Sequence, residues 1–208
     1  MITQADSRKW MACLYNSFLF MEAKIMKMAK KLLALVLTGV MAMSVLTGCG
    51  SAASRQAAGK LEGMLKEANP NATVEDGGEA LAIKAIEAAT TDDGKFETTA
   101  DKNIRAALKE GNTDKYVWYA CFEAEGKNKT DKAQAIANEI LKKETDGSVT
   151  IGTNKAVNSL YVKIPGKYNI KAGDEFELSM KVFTVTNADG TTTDWIMAVV
   201  TCKAVENK

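Results

Sequence analysis

The chain is 208 residues long, 46% hydrophobic and 25% charged, with a formal net charge of +1. It contains no histidine, which excludes Ser-His-Asp and Cys-His catalysis and every His-ligated metal site. Lysines are interspersed with acidic residues and no basic patch stands out, which argues against nucleic acid as a partner; carboxylate chemistry, Ser-Lys chemistry and oxygen-ligated cations stay open.

Residues 1–25 carry Trp10, Cys13, Phe18 and Phe20 and show no pattern that joins them to the rest of the chain. They read as an over-called start, with Met26 or Met28 the expected initiator, or as a long leader that is removed. Lys24, Lys27, Lys30 and Lys31 then precede an uncharged run from Leu32 to Leu46. That run is too short for a hydrocarbon core of roughly 30 Å, which takes about 20 helical residues. A basic segment, a short apolar segment and small residues together make an export signal. The end of the run, Leu46-Thr47-Gly48-Cys49, resembles the lipobox of bacterial lipoprotein signal peptides. The resemblance implies a lipid on the Cys49 thiol, cleavage between Gly48 and Cys49, and a chain held at the extracytoplasmic face of the cell membrane. It implies nothing about the activity of the remainder.

The expected organisation is therefore a signal peptide over 1–48, a lipid-attached tether over 49–59, and a single globular domain over 60–208. Gly50 to Gly59 is small and polar, with a helix beginning as early as Ser54. Ala57, Leu61, Met64, Leu65 and Ala68 recur at helical spacing until Asn69-Pro70 stops them. With few large apolar residues, this helix is expected to pack weakly or on one edge. After Gly77-Gly78, apolar residues at 81, 82, 83, 85, 86, 88 and 89 cover most of a circumference, so the second helix is expected to be buried on more than one side. Thr91-Asp92-Asp93-Gly94 fails the EF-hand pattern and reads as a solvated turn. Thr98 or Thr99 is the expected cap of a short helix through Glu110, with Ile104, Ala107 and Leu108 inward and Gly111 as the stop.

Lys115 to Glu125 is aromatic and β-branched. Tyr116, Trp118, Ala120 and Phe122 share one face, and Val117, Tyr119 and Cys121 the other, which predicts a central strand covered on both sides. Thr130 is the expected cap of a helix reaching about Lys143, with Ala133, Ile136, Ala137, Ile140 and Leu141 as its stripe and Lys142-Lys143 at its C-terminal dipole. Strands are expected at Ser148–Ile151 and Ser159–Ile164, the second ended by Pro165-Gly166. Phe176, Leu178, Met180 and Val182 alternate with polar residues, giving one buried and one wet face. Asn187-Ala188-Asp189-Gly190 signals a hairpin turn into a strand from Thr193 to about Val205. Closed by a loop of two or four residues, the hairpin puts Trp195, Met197 and Val199 on the face of Met180 and Val182.

The order of elements predicts an α+β fold: N-terminal helices and one mid-chain helix packed on one face of a mostly antiparallel sheet that ends in a C-terminal hairpin. Cys121 and Cys202 both fall in strands. In an exported chain they form either an inter-strand disulfide or two inert buried thiols. Tyr116, Trp118, Phe122 and Trp195 form either core or an aromatic platform for a sugar or peptide. Glu123 and Glu125 share a face at a strand end, roughly 6 to 7 Å apart, a separation that carboxylate catalysis on a glycan can use. No motif for a nucleotide, a metal or another cofactor is present. A non-enzymatic binding module for a protein, peptide or glycan is the first reading, and a carbohydrate- or cell-wall-acting enzyme the alternative.

Overall fold

A computed structural model describes residues 52–158 and 170–206. The strand expected at Ser159–Ile164 and its Pro165-Gly166 terminator lie outside the described residues, as does everything before residue 52.

Among the described residues, four helices and a mixed, mostly antiparallel sheet form an α+β fold. The elements in chain order are α1 (residues 52–65), β1 (Thr73–Asp76), α2 (Ala80–Ala89), α3 (Ala100–Lys109), β2 (Lys115–Glu123), α4 (Lys129–Ile140), β3 (Leu141–Lys143), β4 (Val149–Ile151), β5 (Ile170–Thr186) and β6 (Thr192–Glu206). The main sheet has the order β1-β5-β6-β2, and β3 pairs with β4 in a separate ribbon. Only β1 runs parallel to its neighbour, β5. The stretch 73–76 carries no strand signal in the sequence, because TVED is short and buries only Val74.

The sheet is covered on both faces, not one. Its even-numbered positions, among them Trp118, Phe176, Leu178, Ile196 and Val200, form one core with Ala57, Leu61 and Leu65 of α1 and Ala133, Ile136 and Ile140 of α4. Its odd-numbered positions, among them Val117, Phe183, Val185, Met197 and Val199, form a second core with Ala82, Ala85 and Ala89 of α2 and Ile104 and Leu108 of α3. The helices are therefore divided two and two, which a count of elements along the chain does not reveal.

The first helix is no weak attachment. Leu61 and Leu65 are fully buried, and so are the smaller Ala57 and Ser54. Each buried leucine contributes about 1.5–3 kcal/mol. The folded part thus begins by residue 52, inside the stretch expected to be a tether. The small residues of α1 are what lets it approach the sheet closely. For α2 the outcome is the reverse. Its alanines lie on the sheet side, while Ile83 is exposed. Thr99 stands at the N-cap of α3 but accepts no capping hydrogen bond through its side chain. The cap of α4 is Asn128 rather than Thr130, in a reciprocal capping box with Asp131. That helix ends at Ile140, and Lys142 and Lys143 belong to β3.

The hairpin closes in the opposite parity to the one expected. Phe183 faces Trp195, Lys181 faces Met197, and Met180 faces Ala198. Trp195, Met197 and Val199 therefore sit on the face opposite Met180 and Val182. The cause is the loop. Asn187 N–H donates to Thr191 O at 2.8 Å, and Gly190 N–H to Asn187 O at 3.0 Å, so three residues, Ala188 to Gly190, turn the chain. Gly190 has φ +82°, the left-handed residue of a type I turn with a G1 bulge. An odd loop shifts the pairing by one residue and reverses the faces. The second face of β5 is accordingly not wet. Phe183, Val185 and Ser179 are buried, and the Ser179 hydroxyl accepts the Ala82 N–H at 3.0 Å.

The strand expected at the centre, β2, is an edge strand. Both its faces are covered as expected, because α3 and α4 reach past β6. Its first half is also covered along the edge. Val157 N–H donates to Val117 O at 2.5 Å, and Asn158 Nδ2 to Lys115 O at 3.2 Å.

Candidate functional site

Cys49, the expected lipid attachment site, lies outside the described residues. The two strand cysteines are free. Cys121 faces Met197 on the odd side of the sheet, and Cys202 faces Tyr116 and Phe176 on the even side. No disulfide joins them, because the sheet itself lies between the thiols. Burial pushes both thiols up to about 12, so neither is a thiolate at neutral pH and neither is a nucleophile there.

The aromatic residues do not form one platform. Tyr116 and Trp118 are core, stacked with centroids 5.8 Å apart. The Trp118 indole N–H donates to Gly152 O at 2.9 Å, and the Tyr116 hydroxyl to Ile170 O at 3.1 Å. Phe122 is half-buried on the same face. Trp195 lies on the other face, edge-on to Phe96 at 4.9 Å. Its indole N–H is buried with no hydrogen-bond partner among the described residues, a cost of about 1–3 kcal/mol. Glu123 and Glu125 are both exposed at the end of β2. Glu125 lines a shallow groove with Thr192, Thr193 and Asp194. A carboxylic acid held neutral for catalysis needs an apolar surround, and neither glutamate has one.

What the fold does assemble is a groove of about 340 Å³ along the outer edge of β2. One wall carries Phe96 together with Asp101, Ile104 and Arg105 of α3, the other wall carries Glu139 of α4, and Tyr119 to Cys121 form the floor. The groove exists because α3 and α4 sit on opposite faces of the sheet and side chains of both reach the last strand. The polar group in it is a small network. The Tyr119 hydroxyl donates to Asp101 Oδ1, and Arg105 Nε donates to Asp101 Oδ2 at 2.9 Å. The guanidinium also lies 5.6 Å from the Tyr119 ring centre, a cation–π distance. The hydrogen bonds from Arg105 and Tyr119 hold the Asp101 carboxyl below the usual aspartate range. Burial, and then the neighbouring Asp101 carboxylate, push the Tyr119 hydroxyl well above the usual tyrosine range. Under ordinary conditions the network is an anion, a cation and a neutral phenol, built to hold geometry rather than to transfer protons.

Half of the backbone groups on the groove floor have no backbone partner among the described residues. In β2 the even residues bond inward to β6, and Ala124 N–H continues that pattern to Asp194 O at 2.8 Å. The odd residues point outward, as the bond to Val117 O demonstrates. Beyond Val117 the outward groups of Tyr119, Cys121 and Glu123 have no backbone partner among the described residues.

Asp101 and Arg105 are recognisable in the sequence only as an i, i+4 ion pair on a helix. Phe96 and Glu139 give no signal, since tertiary packing alone brings them to β2. Among the described residues no cluster of three or more Cys, Asp or Glu side chains could hold a metal ion, and no helix is long and apolar enough to cross a membrane. No family model, no curated protein and no solved structure matches the chain.

Proposed function

We propose that the chain is a membrane-anchored extracytoplasmic lipoprotein whose folded part is a small binding or interaction module. The observation that carries this reading is the segment from Lys24 to Cys49: four lysines, an uncharged run too short to span a bilayer, and Leu-Thr-Gly-Cys at its end. The lipid on Cys49 is the contact with the membrane. The groove along β2 supports the second half of the reading, because a strand edge unpaired among the described residues offers main-chain hydrogen bonds to an extended partner.

The test is phase partitioning of the full chain in detergent. The wild type is expected in the detergent phase as a cleaved, lipid-bearing protein. Cys49→Ala is expected to be either uncleaved or released into the aqueous phase. A cleaved Cys49→Ala protein that partitions like the wild type overturns the anchoring claim.

A further inference from the structure

We infer that the edge of β2 over Tyr119 to Glu123, unpaired among the described residues, pairs with the same edge of a second copy, so that two sheets join across a two-fold axis at Cys121. The inference rests on the reading of the chain as an interaction module and names its partner. Natural sheets protect an exposed edge with lysine, proline, a bulge or a covering segment. The edge of β2 has these defences over half its length only. Its first half begins at Lys115 and is covered by Val157 and Asn158. Its second half, Tyr119-Ala120-Cys121-Phe122-Glu123, has no lysine, no proline and no bulge.

The second half is also complementary to itself. Antiparallel pairing about Cys121 sets Tyr119 opposite Glu123 of the other copy, and Ala120 opposite Phe122. The outward N–H and C=O groups of Tyr119, Cys121 and Glu123 then meet their counterparts as hydrogen-bonded pairs. On the odd face, Glu123 of one copy arrives beside Tyr119 of the other, where Arg105 is already held over the ring. Glu123 is exposed and makes no ion pair within its own chain among the described residues, so the pairing brings a free carboxylate to a fixed guanidinium. On the even face, the half-buried Phe122 gains cover from a small residue. Cys121 at the axis is small enough for two copies to face each other. Opposite charge and small-against-large pairs across strands each favour association by a modest amount, and the hydrogen bonds fix the register.

The experiment uses the full chain in detergent, with the detergent matched out in sedimentation. The protein mass is expected to rise with concentration from that of one chain to that of two. Cys121→Pro removes one outward N–H at a position where an edge strand tolerates proline, and is expected to weaken association by at least about tenfold while circular dichroism stays unchanged. Cys121→Ala is expected to associate like the wild type, since no disulfide is involved. Should Cys121→Pro fail to fold, hydrogen exchange of the wild type decides the matter. The amides of Tyr119, Cys121 and Glu123 are expected to exchange at least about tenfold more slowly in concentrated than in dilute solution. A chain that stays monomeric, or amides that exchange fast at every concentration, overturns the second copy and leaves the edge to a strand of other sequence. A chain that enters the detergent phase yet stays monomeric fails this inference and leaves the anchoring through Cys49 standing.

Discussion

The two edges of the main sheet are managed in opposite ways. At one end β1 is four residues long and carries Glu75 and Asp76. The carboxylate of Glu62 on α1 accepts the outward Val74 N–H at 3.1 Å, and the Ser54 hydroxyl donates to Asp76 at 2.8 Å. A helix side chain thus stands where another strand would pair. At the other end β2 is nine residues long and rich in aromatics. Its first half is closed by the segment after β4, and its second half has no backbone partner among the described residues. Both ends belong to one sheet with one set of packing rules, so the difference is local. Among the described residues, one edge is closed by a side chain of the same chain and the other is closed over its first half only.

The covered half of β2 depends on Trp118, so the largest effect is expected there. Its ring is 1% exposed in the even-face core, and its indole N–H fastens Gly152. Trp118→Ala removes both, and a loss of about 3–5 kcal/mol is expected from the cavity alone, measured by urea unfolding. The variant also frees the segment that covers Val117, so the amide of Val157 is expected to lose protection before the amides of β6. Asn158→Ala acts on the same cover with less force. Its amide donates to Asn112 O and Lys115 O, and its loss is expected to cost about 1–2 kcal/mol with faster proteolysis near residue 158. If Asn158→Ala leaves both stability and cleavage unchanged, the first half of β2 is held closed by something other than these bonds.

Much of this contrast is hidden in the sequence, and for definite reasons. The alternation in β2 correctly shows two apolar faces, but an edge strand with a helix on each face has the same alternation as a central one. Position in a sheet is a property of other strands, and Val74 of β1 is the only buried residue of a four-residue strand that could announce the far edge. The helices are legible as helices from their spacing. Their division between the faces is not, because it depends on which side the chain crosses. The hairpin turns on one residue: Asn187 to Gly190 is a turn signal for loops of two, three or four residues, and only the three-residue closure reverses the parity. For the groove, the Asp101–Arg105 spacing is visible, whereas its approach to Tyr119 requires the fold. Cys121 and Cys202 look alike as strand cysteines, and only the register of β2 against β6 puts them on opposite faces.

The closed edge offers the smallest and sharpest test. Glu62 takes a hydrogen bond from Lys66, 2.6 Å away, and another from the Val74 N–H, and these in that order hold its carboxyl below the usual glutamate range. A carboxyl with a lowered value in the folded state stabilises that state at pH above its unfolded value, about 4.3, and the contribution fades as pH falls through the lowered folded value. Acidification through that lowered value is therefore expected to release the Val74 amide, since a protonated Glu62 is a weaker acceptor. Glu62→Gln is expected to produce that release at neutral pH and to remove its acid dependence, with little change in global stability because the ion pair with Lys66 lies at the surface and is screened by solvent. The amides of Tyr119, Cys121 and Glu123 in a dilute, monomeric sample are the internal standard. They have no backbone acceptor among the described residues, so neither acid nor Glu62→Gln is expected to alter their protection beyond the intrinsic pH dependence of exchange. If Val74 exchanges as fast as these three amides in the wild type at neutral pH, the helix carboxylate does not close the β1 edge, and the contrast between the two ends of the sheet rests on the length of β1 alone.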